Sequence, residues 1–287
     1  MKVEVVLPNI LLVHPGMMGA AIARELQATG NCVSWIPKGR SRDTIERARA
    51  IGLNEWGGHG RPDIVLSVCP PAFAHSVAAD YCSMGEIYID ANAVSPDRAT
   101  AIAAEVRSHG GIYVDGSIIG APPREGNART RLYLSGPDAA DVAGRLGSSE
   151  CLELIVLQPP FAASALKMTY AAWTKVSAAL LLCTRAAAEV LGVEEALVSE
   201  WRHSQPELPA QSEAAAADAK QKGWRWTDEM RQVAATFDDC GLPSEFGTGA
   251  ARVFQRFPGP SHADVETTSR VQAGSSVAPK KLSGDSH

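Results

Sequence analysis

Short runs of aliphatic and β-branched residues punctuate the first half of the chain, bounded by glycine, proline or polar positions. They fall at residues 9–13, 32–36, 63–69, 86–90, 112–115, 131–134 and 152–157, and each has the length of a strand. The stretches between them have helical character. Residues 17–29 and 95–109 predict helices, the second with Ser95 as N-cap and Pro96 at the first helical position, where a missing N–H costs nothing. Strand and helix alternating up to about Leu157 predict an α/β fold, a doubly wound and mostly parallel Rossmann sheet covered by helices.

After Pro159-Pro160 the pattern changes. Residues 162–191 contain no proline or glycine and are dominated by Ala, Leu and Met, which predicts one long helix. At 1.5 Å rise per residue it would span ~45 Å. A helix that long and apolar needs more cover than the rest of one chain supplies, so it is expected to pack between domains and against a second copy, giving a homodimer. Further helices are expected at 194–203, 209–222, 226–240 and 244–257. The division is then a Rossmann domain over 1–158, an all-helical C-terminal domain for substrate and dimerisation over 159–258, and a polar, Ser/Gly/Pro-rich tail over 259–287 that is expected to be disordered.

Composition narrows the class. With 287 residues, 45% of them hydrophobic, and a net charge of −5, the chain has the make-up of a globular protein with no basic footprint for nucleic acid. Its six cysteines include no C-x-x-C pair, which argues against a disulfide framework or a zinc site, so no metal is expected and the thiols read as reduced and mostly packed. Residues 1–13 lack the features of a secretory signal and no run approaches the ~18 apolar residues of a membrane span, so a cytoplasmic protein is expected.

The candidate chemistry begins where the first strand runs through His14-Pro15-Gly16-Met17-Met18-Gly19 into a helix. In a dinucleotide-binding turn the middle glycine lets the backbone approach the pyrophosphate, the last lets helix and strand pack closely, and the helix N-terminus stabilises the negative charge. Gly16 and Gly19 hold those two positions while His14 replaces the first glycine; a plain strand-to-helix turn would read the same way. An NAD site would place Asp or Glu at the end of the second strand. Here Lys38, Arg40 and Ser41 precede the first acid, Asp43, which suits the 2′-phosphate of NADP or else forms a solvated basic loop. A third contact region is Ser67-Val68-Cys69-Pro70-Pro71, at the carboxyl end of a strand, although two prolines also serve simply to end one.

Four segments carry a resemblance: His-Pro-Gly-Met-Met-Gly at 14–19, Ile-Asp-Ala-Asn-Ala-Val-Ser-Pro at 89–96, Val-Asp-Gly-Ser-Ile-Ile-Gly-Ala-Pro-Pro at 114–123 and Ser-Ala-Leu-Lys-Met-Thr-Tyr-Ala at 164–171. On these the chain resembles the β-hydroxyacid dehydrogenase superfamily, which includes 6-phosphogluconate and 3-hydroxyisobutyrate dehydrogenases and the related imine reductases. The resemblance extends to about Phe257. It implies NADP(H) at the residue 14–19 turn, with Val68, Cys69, Pro70 and Asn92 beside it, and Lys167 as general acid/base, donating a proton as hydride arrives at a carbonyl. Burial among Ala165, Leu166 and Met168 would lower the lysine pKa toward a useful range; a structural lysine is the alternative.

Several positions depart from the superfamily pattern. Tyr170 and Ala171 stand where it has asparagines, and helical spacing places Tyr170, Ala171 and Thr174 on the Lys167 face; Tyr170 serves the pocket or is a core aromatic. The substrate-binding serine position is Ile119, and the loop from Gly116 to Pro123 is closer to the imine reductase version. Ser117 there either points into the site or eases packing. A later substrate-holding lysine aligns near Asp228, whose charge would repel a carboxylate; Asp228 and Glu229 also fit the first turn of a helix. The resemblance thus implies an NADP(H)-dependent oxidoreductase acting on a small carbonyl or hydroxy compound. Reduction of a C=N bond and a non-catalytic NADP-binding sensor or scaffold are the alternatives.

Overall fold

The computed structural model describes residues 7–58 and 60–257, so the expected tail lies outside the described residues. Its sheet contains β1 (Asn9–Leu12), β2 (Cys32–Trp35), β3 (Asn54–Glu55), β4 (Ile64–Ser67), β5 (Ile87–Asp90), β6 (Ile112–Ile119), β7 (Thr130–Ser135) and β8 (Leu152–Leu157) in the order β3-β2-β1-β4-β5-β6-β7-β8. The strands from β3 across to β6 are parallel; β7 runs antiparallel to β6 and β8 parallel to β7. This is the doubly wound Rossmann order, with two extra strands.

The helices of this half are α1 (Met17–Ala28), α2 (Arg42–Ala50), α3 (Ala74–Tyr81), α4 (Pro96–Ser108) and α5 (Ala139–Leu146). Strand periodicity sends alternate residues to opposite layers. Ile10 and Leu12 pack with Ile22 and Leu26 of α1 in one layer, whereas Leu11 and Val13 join Ala78, Ile102 and Val106 in the other. Both faces of β4 and β5 are therefore buried, which is why those runs are apolar up to their last residues, Ser67 and Asp90. Ser95 caps α4 as its position predicts, its Oγ accepting from the Arg98 N–H at 3.2 Å.

The second half is helical: α6 (Ala162–Ala171), α7 (Ser177–Val190), α8 (Glu194–Ser204), α9 (Leu208–Asp239) and α10 (Glu245–Phe254). Met168, Ala171, Met230, Val233 and Phe254 form its core. Three expectations need correction. The stretch from 162 to 191 is not uniformly α-helical, because a π-helical turn at Ala172–Val176 separates α6 from α7. The helices expected at 209–222 and 226–240 are one 32-residue helix, α9. Gly223 does not break it, because a side chain there would press on Phe257 and Ala219; the glycine is spent on close packing. Finally, β6 runs on to Ile119, so Gly116 to Ile119 are strand rather than loop. Gly116 allows a close approach there, since a Cβ would meet the Asp90 carbonyl oxygen at 3.0 Å.

Candidate active site

At the carboxyl end of β1 the backbone turns through His14 and Pro15 into α1, whose N-cap is Gly16. A Cβ on Gly19 would fall well under 3.0 Å from the His14 carbonyl oxygen, so only glycine lets α1 seat on the strand end. Gly16 is the opposite case. A Cβ there has nothing within 4 Å, and the turn leaves open space beside the first amides of α1. The residues present thus fit a pyrophosphate: a bare backbone at a helix N-terminus, with room in front of it. Pro15 is buried and its carbonyl accepts from Arg47 of α2 at 3.3 Å, a contact with no sequence signal; Met17 is exposed and Met18 packs on the core.

Arg40 lies in the loop between β2 and α2, its guanidinium donating to the Ile36 carbonyl at 3.5 Å and the Tyr81 hydroxyl at 3.3 Å. Burial and then the Arg40 charge lower the His14 pKa to about 4, so the imidazole is neutral at pH 7. Lys38 is exposed. Ser41 has a structural use: its Oγ caps α2, accepting from the Thr44 N–H at 3.4 Å. At the end of β4, Asn92 pins the next loop. Its Oδ1 accepts from the Cys69 N–H at 2.6 Å, and its Nδ2 donates to Ser67 Oγ at 3.0 Å and to the Asp90 carboxylate. Val68 packs on the core, with its Cβ facing Gly19. Burial, with Asp90 adding to it, pushes the Cys69 thiol up to about 12, so this cysteine is no nucleophile. The expectation of mostly packed thiols fails elsewhere, since Cys32, Cys183 and Cys240 are exposed.

Lys167 sits one turn into α6, and the start of that helix is fixed from the sheet. Asp115 of β6 accepts from Ser164 N–H at 3.0 Å and Ser164 Oγ at 2.5 Å, and from Ser135 Oγ at 2.7 Å; Ser135 Oγ in turn accepts from Ala163 N–H at 3.1 Å. These side-chain oxygens replace the cap that Phe161, held in the left-handed region at φ 57°, does not provide. So anchored, Lys167 Nζ donates to the Ile118 carbonyl at 3.0 Å and lies 3.5 Å from the Glu229 carboxylate of α9. Lys175, from the π-turn, reaches the same oxygen at 3.2 Å. All three side chains are largely buried, with exposures of 17%, 10% and 16%. Burial lowers the Lys167 pKa and Lys175 lowers it further, against the pull of Glu229. For Glu229 the burial that would raise its pKa is outweighed by Lys175 and Lys167, and the group stays ionised.

The surroundings of Lys167 differ from those expected. Asp228 faces outward and pairs with Arg231 at 2.6 Å, because neighbouring helix positions are turned by about 100° and only Glu229 faces the lysines. Gln232, one turn on, accepts from the Ser95 N–H at 3.0 Å and sets the rotation of α9 against the sheet end. Tyr170 is 44% exposed and its hydroxyl makes no hydrogen bond among the described residues. Thr174 spends its hydroxyl on the Tyr170 carbonyl at 3.0 Å. Ser117 shares the strand face of Asp115, against which α6 packs; it is fully buried and its Oγ finds no partner among the described residues. Two surface clefts, one beside Arg24 and Cys151 and one beside Arg185 and Ser212, include neither Lys167 nor the glycine turn. Among the described residues no cluster of His, Cys, Asp and Glu fits a metal.

Comparison with solved structures bears out the class drawn from the motifs. A conserved protein of unknown function, described as structurally similar to 3-hydroxyacid dehydrogenases, is 26% identical, with 91% of this chain and 99% of that chain covered and a TM-score of 0.65. The Mycobacterium tuberculosis 3-hydroxyisobutyrate dehydrogenase solved with L-serine matches at 18% identity, 93% and 100% coverage and a TM-score of 0.67. A Myxococcus stipitatus imine reductase variant solved with NAD+ matches at 16% identity, 87% and 92% coverage and a TM-score of 0.50. Residues 188–257 match a family model described as a domain of unknown function, DUF1932. No curated protein matches the chain. The structural neighbours are thus 3-hydroxyisobutyrate dehydrogenases and imine reductases, and the chain has the fold of the β-hydroxyacid dehydrogenase superfamily.

Proposed function

We propose that this chain is an NADP(H)-dependent oxidoreductase that interconverts a small carbonyl compound and its alcohol, with Lys167 as general acid/base. The observation that carries the reading is Lys167 itself, a buried amine held by the Ile118 carbonyl and Glu229 where the sheet meets the helices. Bound NADPH supplies the hydride. Gly16 and the first amides of α1 would hold its pyrophosphate, Arg40 and Lys38 its 2′-phosphate, and the Asn92-braced loop at Val68-Cys69-Pro70 would flank it. As negative charge grows on the carbonyl oxygen, Lys167 Nζ gives up a proton to it, and in the reverse direction it takes one back. The Asp115 clamp fixes where on α6 that amine begins, and so where it points.

The charges at the site speak against an imine substrate, because the acid that pairs with Lys167 among the described residues, Glu229, also pairs with Lys175 and offers no free charge to an iminium. Lys167→Ala separates an enzyme from a binding module: we expect NADPH affinity to be retained and turnover on a ketone panel to fall by about 10²-fold or more. Unchanged turnover refutes the assignment. Trp173 and Leu180 stand exposed along the line of α6 and α7, at 76% and 67%, and support the reading that this face is covered by a second copy in a homodimer.

A further inference from the structure

Two lysines sharing one buried carboxylate is an arrangement whose purpose shows in its geometry. Lys167 and Lys175 are eight residues apart, and in a regular α-helix that spacing turns the second residue by about 80° away from the first. A π-turn inserts one residue, and the pair then aligns as positions seven apart do, within about 20°. Because of the turn at Ala172–Val176, both amines meet Glu229, at 3.5 Å and 3.2 Å. On its other side Lys175 Nζ lies 5.8 Å over the Trp226 ring, which is itself braced edge-on by Phe254.

The consequence concerns what happens to Glu229 when Lys167 loses its proton. In an isolated buried Lys–Glu pair, deprotonating the lysine leaves an uncompensated carboxylate in a low dielectric, so the lysine is locked in its charged form and is useless as an acid/base. With a third group present this penalty is removed. We propose that Lys175 is a positioning residue, the standing counter-ion of Glu229, which allows Lys167 to release and recover its proton while the buried carboxylate stays paired. The role rests on the reading of Lys167 as the acid/base. Proton balance is simple: an N–H bond of Lys167 breaks as an O–H bond of the product forms, and the amine regains its proton from solvent. Among the described residues the charges that bear on Lys167 are Glu229 on α9, attracting, and Lys175, repelling; β6 presents only the Ile118 carbonyl to its amine.

The test uses the full chain and needs no turnover. The rate at which acetic anhydride modifies Lys167 is followed against pH by mass spectrometry, whose midpoint reports the proton affinity of that amine. Lys175→Met should move the midpoint up, Glu229→Gln should move it down, and the double variant should return it toward the wild-type value, a reciprocal pattern that loss of packing does not produce. In parallel, Lys175→Met should slow NADPH turnover on the order of a hundredfold at pH 7, with the double variant recovering part of it. If Lys175→Met fails to fold, Glu229→Gln alone still carries the opposite-signed prediction. A midpoint that stays put or falls in Lys175→Met, or that rises in Glu229→Gln, overturns the counter-ion role; correct midpoint shifts in a protein without reductase activity would instead overturn the functional reading.

Discussion

Gly16 and Gly19 belong to one six-residue turn yet do different work, and substituting each with alanine separates the two tasks. In Gly19→Ala the new methyl lands well under 3.0 Å from the His14 carbonyl oxygen, a backbone atom that cannot swing aside, so α1 must lift by about half an ångström. Overpacking of this kind costs about 1–3 kcal/mol, which for a protein of this size lowers Tm by roughly 2–6 °C. In Gly16→Ala the methyl meets nothing within 4 Å and the backbone, at φ −64° and ψ −175°, suits any residue. The only structural cost is a poorer N-cap, up to about 1 kcal/mol. That methyl does, however, occupy the space assigned to the pyrophosphate, so NADPH affinity should fall at least tenfold, about 1.4 kcal/mol. Differential scanning calorimetry and fluorescence titration with NADPH read the two effects separately. The reasoning fails if Gly16→Ala binds NADPH as the wild type does, or if Gly19→Ala melts at the wild-type temperature.

Other consequences follow from the same geometry. Arg40→Ala should weaken NADPH binding about tenfold or more while leaving NADH nearly unchanged, and equal losses for both cofactors in the titration would remove its 2′-phosphate role. Burial, with Asp115 adding to it against the Asn92 hydrogen bonds, raises the Asp90 carboxyl to about 7. A pKa raised on folding means that stability present at low pH is lost as pH rises toward 7, about 2–3 kcal/mol between pH 5 and 8. Asp90→Asn removes that loss, so its Tm relative to wild type should climb across this window; a pH-independent difference would contradict the assignment. Leu180→Asp should shift light scattering from dimer to monomer at micromolar concentration, and a wild-type protein already monomeric there would refute the shared face.

Much of the sheet was legible from hydrophobic runs because buried parallel strands must be continuously apolar, and the Ser95-Pro96 start of α4 carries its own chemistry. The two-residue β3 has no pattern to read: Asn54 and Glu55 are exposed and join the sheet through their backbones. The length of β6 was hidden by Gly116, which looks like a turn residue but is there because the Asp90 backbone passes close by. Gly223 misled in the same way, marking contact with Phe257 rather than the end of a helix. In the site, the glycine turn, Lys167 and the Asp115 segment were visible as motifs. The contribution of Lys175 was not, since eight-residue spacing suggests no shared face until the π-turn is known, and choosing Glu229 over Asp228 requires the rotation that Gln232 fixes from the distant Ser95.

The central claim is that the amine of α6 meets the nicotinamide of a cofactor seated on the glycine turn. A crystal structure of the protein grown with NADP+ measures this directly. The account predicts the pyrophosphate against Gly16 and the Lys167 amine directed at the space over the nicotinamide ring; a nucleotide bound elsewhere, or an amine turned away from the ring, would contradict it.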